Sequence, residues 1–170
     1  SYISEKDSGI YDAINKGLGR ATGEIIGILN ADDRYANARV VSTVSQAMEL
    51  GQLDAVFGDV SFFRPSNPDR AVRRYSSAHF NPSRIAWGWM PAHPALFLHR
   101  RVFELVGGYR TDYQIAGDFE FVARAFRTTG LRYLYLPQVF VNMCMGGVST
   151  RSLRNTCLLY TSDAADDTPC

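Results

Sequence analysis

Two adjacent carboxylates, Asp32 and Asp33, follow the apolar run Ile25-Ile26-Gly27-Ile28-Leu29 and the pair Asn30-Ala31. Neighbouring negative charges repel unless something positive sits beside them, and a divalent cation bridging a diphosphate meets that need. Magnesium takes one or two protein carboxylates and fills its shell with water and phosphate oxygens. The pair equally suits an Asp-rich turn or a helix N-terminus. A second acidic site, Asp118 with Glu120, stands just after Gly117, where a helix begins. A carboxylate at a helix mouth can act as a general base or as an N-cap. His93 sits between Pro91 and Pro94 in a stiff loop, placed to orient a substrate or phosphate, or to satisfy a loop hydrogen bond. Trp87 and Trp89 precede it, and such rings stack on sugar faces or pack internally. Asp12 and Lys16 stand four apart on one helix, which suits an ion pair or a ligand-facing side. Gly146-Gly147-Val148-Ser149-Thr150 suits a phosphate-contacting loop or a simple chain reversal, and lacks the spacing and lysine of a Walker A loop.

These residues need elements to carry them. A helix is expected over about residues 10–21, with Ser8 as its cap, Ile10, Ala13, Ile14 and Leu18 on its inner face, and Gly23 as its stop. The run 25–29 reads as a short buried strand, which puts Asp32 and Asp33 at a strand's carboxyl end, where open α/β sheets bind ligands. A helix over about 38–50 follows, ended by Gly51, then a strand from Asp54 through Phe63, a turn at Pro65–Pro68 and a further strand at 73–76. Residues 95–98 read as a strand, 100–106 as a short helix and 117–129 as a longer one. Residues 131–136 and 139–143 read as two closing strands. Strands alternating with helices imply an α/β fold with a mostly parallel sheet.

The bulk properties narrow the class. The chain has 170 residues, 46% hydrophobic and 21% charged, which suits one globular domain rather than a disordered segment. A net charge of +1 gives no electrostatic ground for nucleic-acid binding. Only Lys6 and Lys16 are lysines, so the basic side chains are overwhelmingly arginine. Three cysteines without regular spacing argue against a disulfide framework or a zinc site and favour a reducing compartment. No apolar run approaches the roughly 20 residues of a membrane span. Residues 156–170 resemble one translated reading frame of a sequencing adapter, which implies a non-native tail outside the domain; the alternative is a native acidic tail.

The ordered segments Ser4–Gly17, Ala21–Ile26, Leu29–Asp33, Gly58-Asp59, Met90–Phe97, Gly107–Tyr109, Ala116–Glu120 and Gly146–Ser149 together resemble family 2 of the glycosyltransferases. The nearest branch is the bacterial exopolysaccharide and O-antigen one, similar to colanic-acid-type enzymes. The resemblance spans residues 1–155. It implies a partial GT-A (Rossmann-like) domain, a mostly parallel sheet flanked by helices and incomplete at its N-terminus, because the family's first strand and base-binding acid would precede Ser1. It implies an inverting, metal-dependent transferase. The sugar would pass from a nucleotide-diphosphate donor to a glycan or lipid-linked glycan hydroxyl, in the cytoplasm and at the inner membrane face, with peripheral membrane association. On that reading Asp118 is the catalytic base, and Asp33 is the ligand of Mn²⁺ or Mg²⁺. Asp32, Asp12 and Lys16 meet the donor, and His93, Trp89 and Glu120 make acceptor or loop contacts. Asn30 stands where many members carry an acid, which leaves the metal to Asp32 and Asp33. Two rivals remain at this point: a carbohydrate-binding module using the tryptophans without catalysis, and a metal-dependent nucleotidyltransferase.

Overall fold

A computed structural model describes residues 5–127 and 130–145. Helices α1 (Ile10–Arg20), α2 (Val40–Gly51), α3 (Arg100–Val106) and α4 (Gly117–Arg127) pack on a six-stranded sheet. Its strands are β1 (Ile25–Gly27), β2 (Arg34–Tyr35), β3 (Ala55–Arg64), β4 (Asn67–Tyr75), β5 (Leu96–His99) and β6 (Tyr133–Cys144). The order is β1-β5-β3-β6-β2, with β4 also paired to β3. The Gly146–Ser149 motif and the 156–170 tail lie outside the described residues.

The α/β class holds, but the sheet is mixed rather than mostly parallel. Among the described strands β3 and β6 pair in parallel, while β1–β5, β3–β5, β3–β4 and β2–β6 pair antiparallel. The cause is β5, which inserts between β1 and β3 against their common direction. A strand's apolar content shows that it is buried and says nothing about which way it runs.

β3 is the spine. Its residues alternate between two cores, as a period of two requires. Ala55 and Phe57 face α1, α3 and α4, with Val102, Phe121, Val122 and Phe126. Val56 and Val60 face α2, whose buried stripe is Val40, Val44 and Met48. Buried apolar area is worth roughly 25 cal/mol per Å², so these two layers are the main source of stability. Gly58 is required by its neighbour. Between Phe57 and Asp59 the partner β6 advances from Tyr135 to Val139, a bulge that accommodates Pro137. A Cβ at 58 would lie 2.7 Å from the Gln138 carbonyl oxygen and 2.8 Å from the Phe140 ring. The two closing strands expected around Pro137 are therefore one strand with a bulge.

Three local expectations change. The inner face of α1 is Tyr11, Ile14 and Leu18, with Ile10 exposed at 54%, because the stripe starts one residue later than the aliphatic pattern suggests. Ser8 does not cap α1 with its hydroxyl: Gly9 holds the cap position without a side-chain bond, and the Ser8 amide instead donates to Asp12 at 2.9 Å. β4 begins at Asn67, well before the expected 73, and all of it is exposed, so edge pairing to β3 holds it rather than burial.

Candidate active site

The register brings the acidic turn and the His93 loop to one edge of the sheet. Gly27 at the end of β1 pairs with Phe97 near the start of β5, and Phe57 pairs with Leu96. The carboxyl end of β1 and the first third of β3 therefore flank the start of β5. Asn30–Asp33 leaves β1 at that edge, and the turn His93–Ala95 enters β5 there.

Asp33 is gripped from two sides. Its Oδ1 accepts the Cys144 amide at 2.9 Å, and its Oδ2 accepts the Asn30 side-chain amide at 2.9 Å. Each oxygen keeps lone-pair capacity, since a carboxylate offers about four acceptor positions. Asp32 beside it is exposed. Among the described residues no three His, Cys, Asp or Glu side chains cluster as a metal cage. One or two carboxylates still fit a magnesium-like ion, which draws its remaining ligands from water and phosphate.

Asp118 opens α4. Its Oδ1 accepts the Phe119 amide at 3.0 Å and lies 3.5 Å from the Tyr11 hydroxyl. That hydroxyl in turn accepts the amides of Gly117 at 2.8 Å and Asp118 at 3.3 Å. Burial, then the Asp118 charge, pushes the Tyr11 phenol up to about 12. Tyr109 stacks on Tyr11 with centroids 5.9 Å apart and rings 7° from parallel, and its hydroxyl meets His93 Nε2 at 2.8 Å. Burial raises the Tyr109 phenol as well, with Asp118 next in effect. His93 is lowered by desolvation, against an opposing pull from Asp118, so at neutral pH the ring is neutral. Asn15 clamps Tyr109 by donating to its carbonyl at 2.7 Å and accepting its amide at 2.8 Å. The result is a connected group of Asp118, Tyr11, Tyr109 and His93, with an acidic oxygen at the start of a helix.

Asp59 supports the same edge from inside. It is fully buried, accepting Arg74 Nε at 2.9 Å, the Ser77 amide at 2.9 Å and the Tyr135 hydroxyl at 3.0 Å. The Ser77 hydroxyl donates to the Gly58 carbonyl and accepts the Ala92 amide at 3.1 Å, one residue before His93.

The other expected site residues stand apart from this group. Asp12 and Lys16 pair at 3.0 Å, and Lys16 also meets Asp7 at 2.9 Å, in a surface network that includes Glu5 and Arg20. The Ser8 amide, then Lys16, lowers Asp12; Asp7, then Asp12, raises Lys16. Glu120 pairs with Arg124 one turn along α4 at 2.8 Å, and Arg124 also reaches the carbonyls of Val106 and Gly108. Trp89 is 43% exposed, edge-on to His79, and Trp87 is 80% exposed. Tyr11, Asn15, Tyr109 and Asp59 were not singled out from sequence, although all four lie in the segments that carry the family resemblance.

Comparisons with known proteins give the family and the fold. The profile of the family described as "Glycosyl transferase family 2" matches residues 2–133. A "PGL/p-HBAD biosynthesis glycosyltransferase" of Mycobacterium bovis is 32% identical over 148 residues, covering 85% of this chain and 55% of the relative. An uncharacterised glycosyltransferase of Mycobacterium tuberculosis is 32% identical over 137 residues, covering 72% of this chain and 46% of the relative. The chain thus spans about half the length of the curated relatives it matches. Among solved structures, Staphylococcus aureus TarS 1–349 in complex with UDP-GlcNAc aligns with a TM-score of 0.62 at 13% identity, covering 99% of this chain and 51% of that one. The mannosyltransferase PcManGT of Pyrobaculum calidifontis, in complex with GDP-Man and Mn²⁺, aligns at 0.55 and 18%, covering 94% and 45%. These likenesses give the fold, the GT-A type. On the family match and the relatives together, the chain belongs to family 2 of the glycosyltransferases.

Proposed function

We propose that the chain is the metal-binding and acceptor-side part of an inverting enzyme. It transfers a sugar from a nucleotide-diphosphate donor to a hydroxyl acceptor in cell-surface polysaccharide synthesis. The observation that carries this reading is the register of β1 with β5: the Asn30–Asp33 turn leaves β1 and the His93 loop enters β5 at the same end of that pair, and His93 is linked to Asp118 through Tyr109 and Tyr11. The complexes of TarS with UDP-GlcNAc and of PcManGT with GDP-Man support the donor class.

Transfer is one in-line displacement. Asp118 accepts the proton of the acceptor hydroxyl while that oxygen bonds to the anomeric carbon, and the bond to the nucleoside diphosphate breaks on the opposite side. Asp33 and Asp32 would hold a divalent cation, which would supply positive charge against the departing diphosphate. Asp33 is pre-oriented by Asn30 and Cys144, which lowers the reorganisation needed on binding. Neutral His93 orients the acceptor side without adding charge next to the base. Asp12 and Lys16 contact the donor, and Trp89 and Glu120 border the acceptor. No helix among the described residues is long and apolar enough to cross a membrane. Work at the inner membrane face, on a lipid-linked or growing glycan, rests on peripheral contact.

Asp118→Asn in the full-length protein tests the reading. Release of nucleoside diphosphate from the donor should fall by about 10²–10⁴, while calorimetry shows unchanged donor binding. Parental activity in this variant removes Asp118 from the role. Release of pyrophosphate in place of nucleoside diphosphate points to nucleotidyl transfer instead.

A further inference from the structure

The start of α4 has an unusual construction. A helix's first N–H groups have no intrahelical acceptor, and a side-chain oxygen of the preceding residue ordinarily takes one. Here the preceding residue is Ala116, with no side-chain oxygen and a left-handed φ of 64°. The acceptor comes instead from α1. The Tyr11 hydroxyl accepts the Gly117 and Asp118 amides, which leaves its single proton for Asp118 Oδ1, 3.5 Å away.

We propose that Tyr11 is a positioning residue, its hydroxyl fixing the first turn of α4 and thereby the direction of the Asp118 carboxylate. The inference rests on Asp118 as the base. Three observations outside the hydrogen bonds support it. Gly117 leaves room for the ring: a Cβ there would lie 2.6 Å from Tyr11 Cε2. The ring cannot swing away, because Tyr109 stacks against it and is itself stacked on Phe121 of α4, with centroids 4.2 Å apart. The backbone just before Tyr109 also lies tight against α1, since a Cβ on Gly108 would meet the Asn15 side-chain oxygen at 2.5 Å. The two helices are thus interlocked on both sides of the hydroxyl. A phenol pushed up to about 12 stays protonated at neutral pH, so it remains a donor to Asp118.

Tyr11→Phe removes one oxygen and keeps the ring. In the full-length protein, kcat for nucleoside diphosphate release should fall about 10- to 100-fold, the range expected when a reacting group is misplaced by about 1 Å. The donor KM should stay within about twofold, as expected when the interaction lost is one made in the transition state. Gly117→Ala, whose new methyl displaces the ring, should show the same split. A Tyr11→Phe kcat within about threefold of the parent overturns the proposal, as does a donor KM that rises in step with the loss. These outcomes are separable from the base assignment: an active Asp118→Asn sinks that assignment whatever Tyr11→Phe does. An inactive Asp118→Asn beside a fully active Tyr11→Phe sinks only the role of Tyr11.

Discussion

Asp59→Ala should be the most destabilising single change near the site, and its cost can be built up from the structure. The carboxylate is fully buried and joins four parts of the chain: β3, β4 through Arg74, the segment after β4 through Ser77, and β6 through Tyr135. Truncation leaves the Ser77 amide without its acceptor at a residue only 2% exposed. A buried donor left unpaired costs about 1–3 kcal/mol. The Tyr135 hydroxyl has a second neighbour, the Ser76 hydroxyl at 3.3 Å, so its loss is smaller. The Arg74 side chain is 52% exposed and can turn to water, which discounts the ion pair heavily. The sum is about 2–4 kcal/mol, most of it from the stranded Ser77 amide. Urea unfolding of parent and variant at pH 7, with equal slopes, measures it. A loss under about 1 kcal/mol would refute the reasoning, because it would mean that water or a rearranged Ser77 replaces the carboxylate at little cost.

Two further expectations follow from the charged groups. His93 is lowered in the folded protein, so the unfolded chain binds more protons as pH falls. Its contribution is complete above the unfolded value of about 6.5 and is lost as pH falls through that value toward the folded one. The parent should therefore lose stability below pH 6.5 by at most about 1.4 kcal/mol per pH unit, and His93→Gln should remove that slope in chemical denaturation series from pH 7.5 to 5. Identical slopes in both proteins would rule out His93 as the titrating group. Asp33→Ala should weaken Mn²⁺-dependent binding of a nucleoside diphosphate at least tenfold by calorimetry and leave the metal-free signal unchanged, an outcome that metal-independent binding in the parent would contradict.

How far the sequence shows all this depends on the range of the interaction. The helices were legible because an apolar stripe at a spacing of three or four residues is a local signal: Val40, Val44 and Met48 of α2 form one. β4 was largely illegible, since none of its residues is buried and its pairing with β3 leaves no alternation. The direction of β5 was equally hidden, because Leu96-Phe97-Leu98 is apolar in any orientation. At the site, Asp118 and Asp33 stood out by residue type and motif. Tyr11 did not, because its partner lies 107 positions away and a tyrosine on an amphipathic helix reads as core. Asp59 carried a motif match without a role, as nothing local indicates that Arg74, Ser77 and Tyr135 converge on it.

The bond from Cys144 to Asp33 is made by the main chain. Every residue but proline offers the same amide there, so an alanine scan would score position 144 as dispensable while its peptide unit goes on aiming an acid 111 positions earlier. What is preserved at that point is the path of the strand and not the identity of a side chain. Grafting the acidic turn into another scaffold would require bringing along the end of β6, whatever residues it carries.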